Sequence, residues 1–304
     1  MATRTETPET TAKQKSEPPT HEYHAEAHVL SGHLQRPIEQ KIEPHAPVAL
    51  KGRRSGHLTR STEDVNIEGL ISFKRGLTRV SGSMSMKHHG WVTLSTSILE
   101  GLNVFEVITA DRMVSQVSTE HPPENGHFPH VTFLGTQFDN LRVSGFPVAL
   151  MLNFGICGKK PAGDKSYLRD ADFLESVRKQ TESIANADGL PKKVKDQYDE
   201  KLSRIDDLIA GRIGSHELKV TCSIVESVGE IPIPGVRSFG HVLVIPDFGT
   251  VSLGEIEVGE KKYDPSEERP SNYFELTTIK MQSGCIGTGT VAAGTTTANG
   301  THHP

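Results

Sequence analysis

Residues 91–152 read WVTLSTSILEGLNVFEVITADRMVSQVSTEHPPENGHFPHVTFLGTQFDNLRVSGFPVALML. β-Branched and apolar residues alternate with small polar ones, and Gly, Pro and Asn separate the runs. A period of two with such punctuation builds sheet surface. The same pattern extends outward to strands expected at 23–34, 64–74, 77–86, 216–228, 241–246, 249–258 and 272–282. Gly76, Gly101, Gly145 and Gly240 are among the glycines expected to supply turns. Ser95, Ser97, Ser118 and Thr136 read as outward positions of a smooth, small-residue surface. The fold class expected is mainly β: a β-sandwich-like domain with an inserted helical hairpin, the alternative being a β-solenoid or barrel.

The insert stands out because the period changes. Across 166–213, Leu174, Val177, Thr181 and Ile184 share one helical face, and Val194, Tyr198, Leu202, Ile205 and Ile209 share another. Asp172 with Glu175 resembles a capping pair, Asp188–Gly189 ends the first helix, and Pro191 opens the second. The hairpin reads as an addition to a single β domain spanning 21–286. Residues 1–20 are Thr, Glu, Lys and Pro with little to bury and are expected to be disordered. Residues 287–304 are Gly/Thr-rich and read as a tail or a weak last strand. Pro37, Pro44 and Pro47 place any strand near them at a sheet edge.

The bulk numbers narrow the function classes. The formal charge of -5 lacks the basic excess that nucleic acid or an anionic membrane selects. No run is long enough for a membrane span. The start carries no apolar leader, so the expected location is cytoplasmic. Three cysteines, Cys157, Cys222 and Cys285, are far apart and form no metal-type pair; buried thiols or one disulfide remain open.

Motifs for chemistry are sparse. GKKPAGDKS at 158–166 approximates a phosphate loop, but Asp164 intrudes between Gly163 and Lys165 and would repel phosphate, so no nucleotide is expected. No G-x-S-x-G elbow is present, and no catalytic residue is assigned. The 15 histidines include His121, His127 and His130, which flank one Pro-rich loop and form the candidate metal set. No cofactor is expected.

SILEGLNVFEVITADRMVSQVSTE, VTFLGTQFDNLRVSGFPV and NYFELTTIKMQSGCIGTGT together resemble the bacterial choice-of-anchor P proteins. The shared features are Ile108–Asp111, the run from Phe133 through Gly145 to Val148, and the Phe274…Cys285 ending. The resemblance implies an all-β extracellular or cell-surface module and supplies no catalytic residue. The expected function is a non-catalytic structural or interaction protein, self-assembling or surface-associated, with a homo-oligomer or protein partner. The alternative is a metal-dependent or hydrolytic enzyme using loop histidines.

Overall fold

The computed structural model of the chain describes residues 20–36, 39–85, 90–123, 127–212, 218–262, 270–283 and 288–303. The stretch expected to be disordered lies outside them except for Thr20, as does Cys285. The chain opens with β1 (Thr20–Arg36), β2 (Gln40–Ile42) and β3 (Val48–Gly52). A meander follows: β4 (Gly56–Ile67), β5 (Ile71–Ser85), β6 (Gly90–Val104) and β7 (Ile108–His121). Short strands come next: β8 (His130–Thr132), β9 (Gln137–Asp139), β10 (Arg142–Val143), β11 (Phe146–Pro147) and β12 (Leu150–Leu152). A 3-10 turn (Tyr167–Arg169) leads into α1 (Ala171–Ala185) and α2 (Lys192–Ile209). The rest is β13 (Lys219–Ser223), β14 (Val225–Val228), β15 (Arg237–Phe239), β16 (Val242–Ile245), β17 (Gly249–Lys261), β18 (Ser271–Ser283) and β19 (Thr288–His303).

Two antiparallel sheets face each other, as the alternation predicts, and neither closes into a barrel. Sheet A runs β15-β16-β17-β18-β19-β1-β2, with β13 on β17 and β3 on β1. Sheet B runs β11-β10-β7-β6-β5-β4, with β8 and β9 on β7. β12 and β14 form a separate pair. The proline-flanked β2 and β3 lie at the rim, where a missing N–H leaves no gap in a ladder.

Several expectations need correction. The Gly/Thr-rich end is a central strand: β19 lies between β18 and β1, with Ala25 opposite Ala298 and Leu30 opposite Ala293. Its residues are small because sheet B presses on it, and Ala293 and Ala298 are fully buried. The strand expected at 64–74 is two strands joined by a turn at 68–70, where Asn66 Oδ1 accepts the Gly69 N–H at 2.8 Å. The outward small-residue surface is largely inward. Ser95 and Ser97 are completely buried, donating to Glu26 O at 2.7 Å and His28 O at 3.0 Å on the facing sheet. Ser115 bonds Thr296 Oγ1 at 2.6 Å, and Thr136 is buried against Gln116. Short hydroxyls let the sheets approach until side chains of one reach backbone of the other, closer than an aliphatic core permits. Gly82 belongs to the same seam, since a Cβ there would lie 2.5 Å from the Tyr23 ring.

Both sheets carry a crease. In sheet B the ladder skips Asp64, Lys74, Gly101 and Asp111 on successive strands. In sheet A it skips Gly254, Thr278, Gly294 and Val29. The inward alternation changes phase at each. In β17 the core residues are Val251 and Leu253, then Ile256 and Val258. Gly101 and Gly254 adopt φ of 67° and 59°, a region that suits glycine, so Gly101 serves a strand interior and not a turn.

The helical hairpin is part of the core. Phe173, Leu174, Val177 and Ile205 belong to the same buried cluster as Val220, Ile256 and Phe274. The α1 cap is Asp170, not Asp172: its carboxylate accepts the Phe173 N–H at 3.0 Å. Pro191 stands at the start of α2, as expected.

Candidate functional site

The helical stripe of α2 is interrupted by charge. Val194, Tyr198 and Ile205 are buried along one face, and Lys201 lies among them at helical spacing. Beneath that face, α2 roofs a cleft of about 320 Å³. Its floor is sheet A, with Lys219 and Thr221 from β13, Thr250, Ser252 and Glu255 from β17, and Lys280 and Gln282 from β18. Ladder pairs set these positions: Ser252 stands opposite Lys280, and Thr250 opposite Gln282.

The crease places the buried carboxylate of this lining, Glu255. In a regular strand Glu255 would face away from Thr250 and Ser252. The phase change at Gly254 returns Glu255 to their face. A Cβ on Gly254 would also lie 2.6 Å from Ile224, so close packing and a positive φ both require glycine.

Glu255 is 7% exposed and bridges two lysines, Lys280 at 2.5 Å and Lys201 at 3.6 Å. Burial alone would raise its pKa, but Lys201 and Lys280 override burial and hold the carboxyl below the usual carboxylate range. Lys280 loses hydration on burial, yet the contact with Glu255 raises its pKa. Lys201 also lies over the Tyr198 ring, 4.7 Å from its centroid. The Tyr198 hydroxyl and His241 Nε2 share a hydrogen bond at 3.0 Å, while His241 Nδ1 is buried with no hydrogen-bond partner. Burial, then the Lys201 charge, holds the His241 imidazole down at about 4, with Glu255 offsetting part of the effect. Burial and then the Glu255 charge push the Tyr198 phenol above its ordinary value.

The lining therefore presents four cations, Lys201, Arg204, Lys219 and Lys280, against two carboxylates, Glu200 and Glu255. Glu257 takes up part of the excess through Lys219 at 3.1 Å, and it also accepts from the Tyr273 hydroxyl at 2.7 Å. Hydroxyl and amide groups of Gln197, Thr221, Thr250, Ser252 and Gln282 fill the spaces between. Cationic lining with neutral hydrogen-bonding groups in a concave site suits a small anion.

The histidines expected to bind metal lie elsewhere. His121 is fully buried, with its ring 4.7 Å from His21, which stacks on Trp91. His127 bonds Pro270 O at 3.1 Å and meets Phe128 edge-on. His130 is on β8, opposite Glu120. Among the described residues, no group of three or more His, Cys, Asp or Glu side chains is placed to hold a metal ion. Sequence reasoning did not find the cleft, because its residues come from five separate elements. The available signal was Lys201 within the apolar stripe of α2.

The phosphate-like loop at 158–166 folds on itself, with Lys160 Nζ donating to Gly163 O at 3.0 Å. No helix among the described residues is long and apolar enough to cross a membrane. A family model described as Domain of unknown function (DUF8256) matches residues 21–259. No curated protein and no solved structure matches the chain.

Proposed function

The chain belongs to the family described as Domain of unknown function (DUF8256), and for it we propose a non-catalytic interaction module that holds a small anionic ligand, a carboxylate or phosphate, in the cleft under α2. The observation that carries this reading is the lining of that cleft, four cations around one buried carboxylate. Lys201 and Lys280 are fixed by Glu255 and Lys219 is shared with Glu257, so Arg204, with Lys219 beside it, is the cation placed to meet a ligand charge. The pKa directions argue against acid–base work. His241 is kept neutral down to about pH 4, and the Tyr198 phenol is held protonated, so neither group exchanges a proton near neutrality. Resemblance to β-rich surface modules fits a binding role.

Calorimetry with inorganic phosphate and with succinate tests the reading. Saturable binding is expected, weakened about fivefold or more by Arg204→Ala together with Lys219→Met, and reduced by added salt. Absence of saturable heat with both anions at low ionic strength sinks it.

One observation supports self-association as a second reading. β4, at the end of sheet B, is 12 residues long, mostly exposed, and pairs with β5 alone among the described strands. An open edge of that length is a template for another strand. Antiparallel pairing of two copies about Thr62 sets Arg60 of each opposite Asp64 of the other. Light scattering at micromolar concentration should show a dimer that Thr62→Pro dissociates; a strict monomer removes this reading.

A further inference from the structure

Cys157 and Cys222 stand where the helical insert leaves and rejoins the sheets. Cys157 lies in the loop between β12 and the 3-10 turn, and Cys222 lies in β13, the first strand after α2. The two chain segments already run side by side here. Leu152 pairs with Val225, and the Asn153 N–H donates to Ile224 O at 2.7 Å. Each cysteine is 2% exposed, both thiols are free, and both belong to the main buried cluster. Beside them Gln180 of α1 clamps Ser223, donating to its carbonyl at 3.0 Å and accepting its N–H at 2.8 Å.

We propose that Cys157 and Cys222 form a disulfide that staples the throat of the helical insert when the chain folds in the presence of a small-molecule disulfide oxidant. One cysteine thiolate attacks the oxidant's S–S bond, forming a mixed disulfide and expelling one thiolate. The second cysteine loses its proton and attacks the protein sulfur of that mixed disulfide, expelling the second thiolate. The protein loses two electrons and two protons, and the oxidant leaves as two thiols. The geometry favours this pair because both cysteines pack in one buried cluster and their chain segments are tied by the β12–β14 ladder and the Asn153–Ile224 bond.

The timing follows from burial. In the folded, reduced protein the hydrogen bond to Cys222 and burial push the Cys157 thiol well above its ordinary range, so little thiolate is present to react. Exchange therefore belongs to folding, before α1 seals the throat. Once made, the bond is shielded from reductant by the same packing. The bridged loop, 158–221, contains the whole helical insert, and a long loop is where a cross-link removes most freedom from the unfolded chain.

Refolding the full chain with Cys285→Ser in mixed reduced and oxidised glutathione tests the proposal. Expected are no thiol alkylated in denaturant before reduction, two alkylated afterwards, and a proteolytic fragment joining the Cys157 and Cys222 peptides. The oxidised protein should melt on the order of 5 °C above its reduced form. It should also keep the bond in dithiothreitol until it is unfolded. Two free thiols, or glutathione adducts on the folded product, would overturn the assignment. Cys157→Ala on the same background should lose the difference in melting temperature between oxidising and reducing buffers; a persisting difference would also overturn it. If Cys157→Ala does not fold, the alkylation count alone decides.

Discussion

The seam between the two sheets and the cleft under α2 both bury polar groups, and they do so in opposite ways. In the seam, neutral hydroxyls meet fixed acceptors: Ser95 with Glu26 O, Ser97 with His28 O, Thr78 with Ala46 O at 2.6 Å. These groups carry no charge. In the cleft, charged groups surround open space, and the cations outnumber the carboxylates. Matched neutral pairs fix the spacing of two sheets. Unmatched charge beside a cavity leaves interaction energy for something else to complete. The two regions share the strands of sheet A, so the comparison is testable within one scaffold.

The largest effect should come from removing the roof. Replacing 166–213 with a Gly/Ser linker deletes Phe173, Leu174, Val177 and Ile205 from the main buried cluster. Several large apolar side chains lost together exceed the net stability of an ordinary domain. The expected product is insoluble or lacks a cooperative melt by circular dichroism. A soluble product with a sharp transition would show that the cleft is an appendage and the seam alone is the fold.

Acid should come next, and it should act through the cleft. The folded pKa of His241 lies near 4, below the unfolded value of 6.5. The unfolded chain therefore binds the proton first, and the His241 contribution, complete above pH 6.5, is lost as pH falls toward 4. The loss amounts to about 3 kcal/mol at the bottom of that window. Glu255, also depressed, contributes stability above its unfolded pKa that is lost as pH falls through its folded value. The seam hydroxyls and carbonyls do not titrate; His24, His28 and His45, whose pKa burial also lowers, add to the acid slope outside the cleft. Denaturant melts across this range should flatten in His241→Gln; an unchanged acid slope would move the sensitive group elsewhere.

Ser97→Ala probes the seam at smaller scale. It removes the donor to His28 O from a completely buried site, at a cost of about 1 kcal/mol. Urea melts should show this with an unchanged slope. Restoration by Thr and further loss with Val would identify the hydroxyl, and not the volume, as what matters.

The sequence makes some of this legible. Period-two alternation locates the long strands, and the change to helical period locates α1 and α2, because each reflects one buried face. The creases are not legible. A mid-strand glycine such as Gly101 has the same composition as a turn, and only the pairs on either side of it, Glu100 with Arg112 and Leu102 with Ala110, show that the strand continues. The seam misleads for a related reason. Ser95 and Ser97 alternate with larger residues as surface serines do, and only the facing carbonyls show that they point inward. β19 is hidden because a strand pressed between neighbours uses Ala, Gly and Thr, the composition of a linker. The cleft is hidden because Lys201, Glu255 and Lys280 meet only after a phase change that no local pattern records.

The smallest effect on stability is expected where the same substitution moves to the other region. Ser252 stands in the cleft, on β17, opposite Lys280 on β18, and it is only partly buried. Ser252→Ala removes a hydroxyl that faces open volume instead of a fixed carbonyl. Its effect on denaturant stability should stay within about 0.5 kcal/mol, the range of substitutions away from packed or paired positions. Ser97→Ala, chemically identical, should cost roughly twice that or more. Ligand binding should reverse the order: Ser252→Ala should weaken phosphate or succinate about threefold, the effect of one neutral hydrogen bond at a solvated site, while Ser97→Ala leaves affinity unchanged. Calorimetry and urea melts on the two variants give four numbers. The crossed pattern separates a hydroxyl that holds the fold from one that meets a ligand. Two variants that shift together in both measurements would show that cleft and seam are one polar interior, and the distinction on which the proposed site rests would be lost.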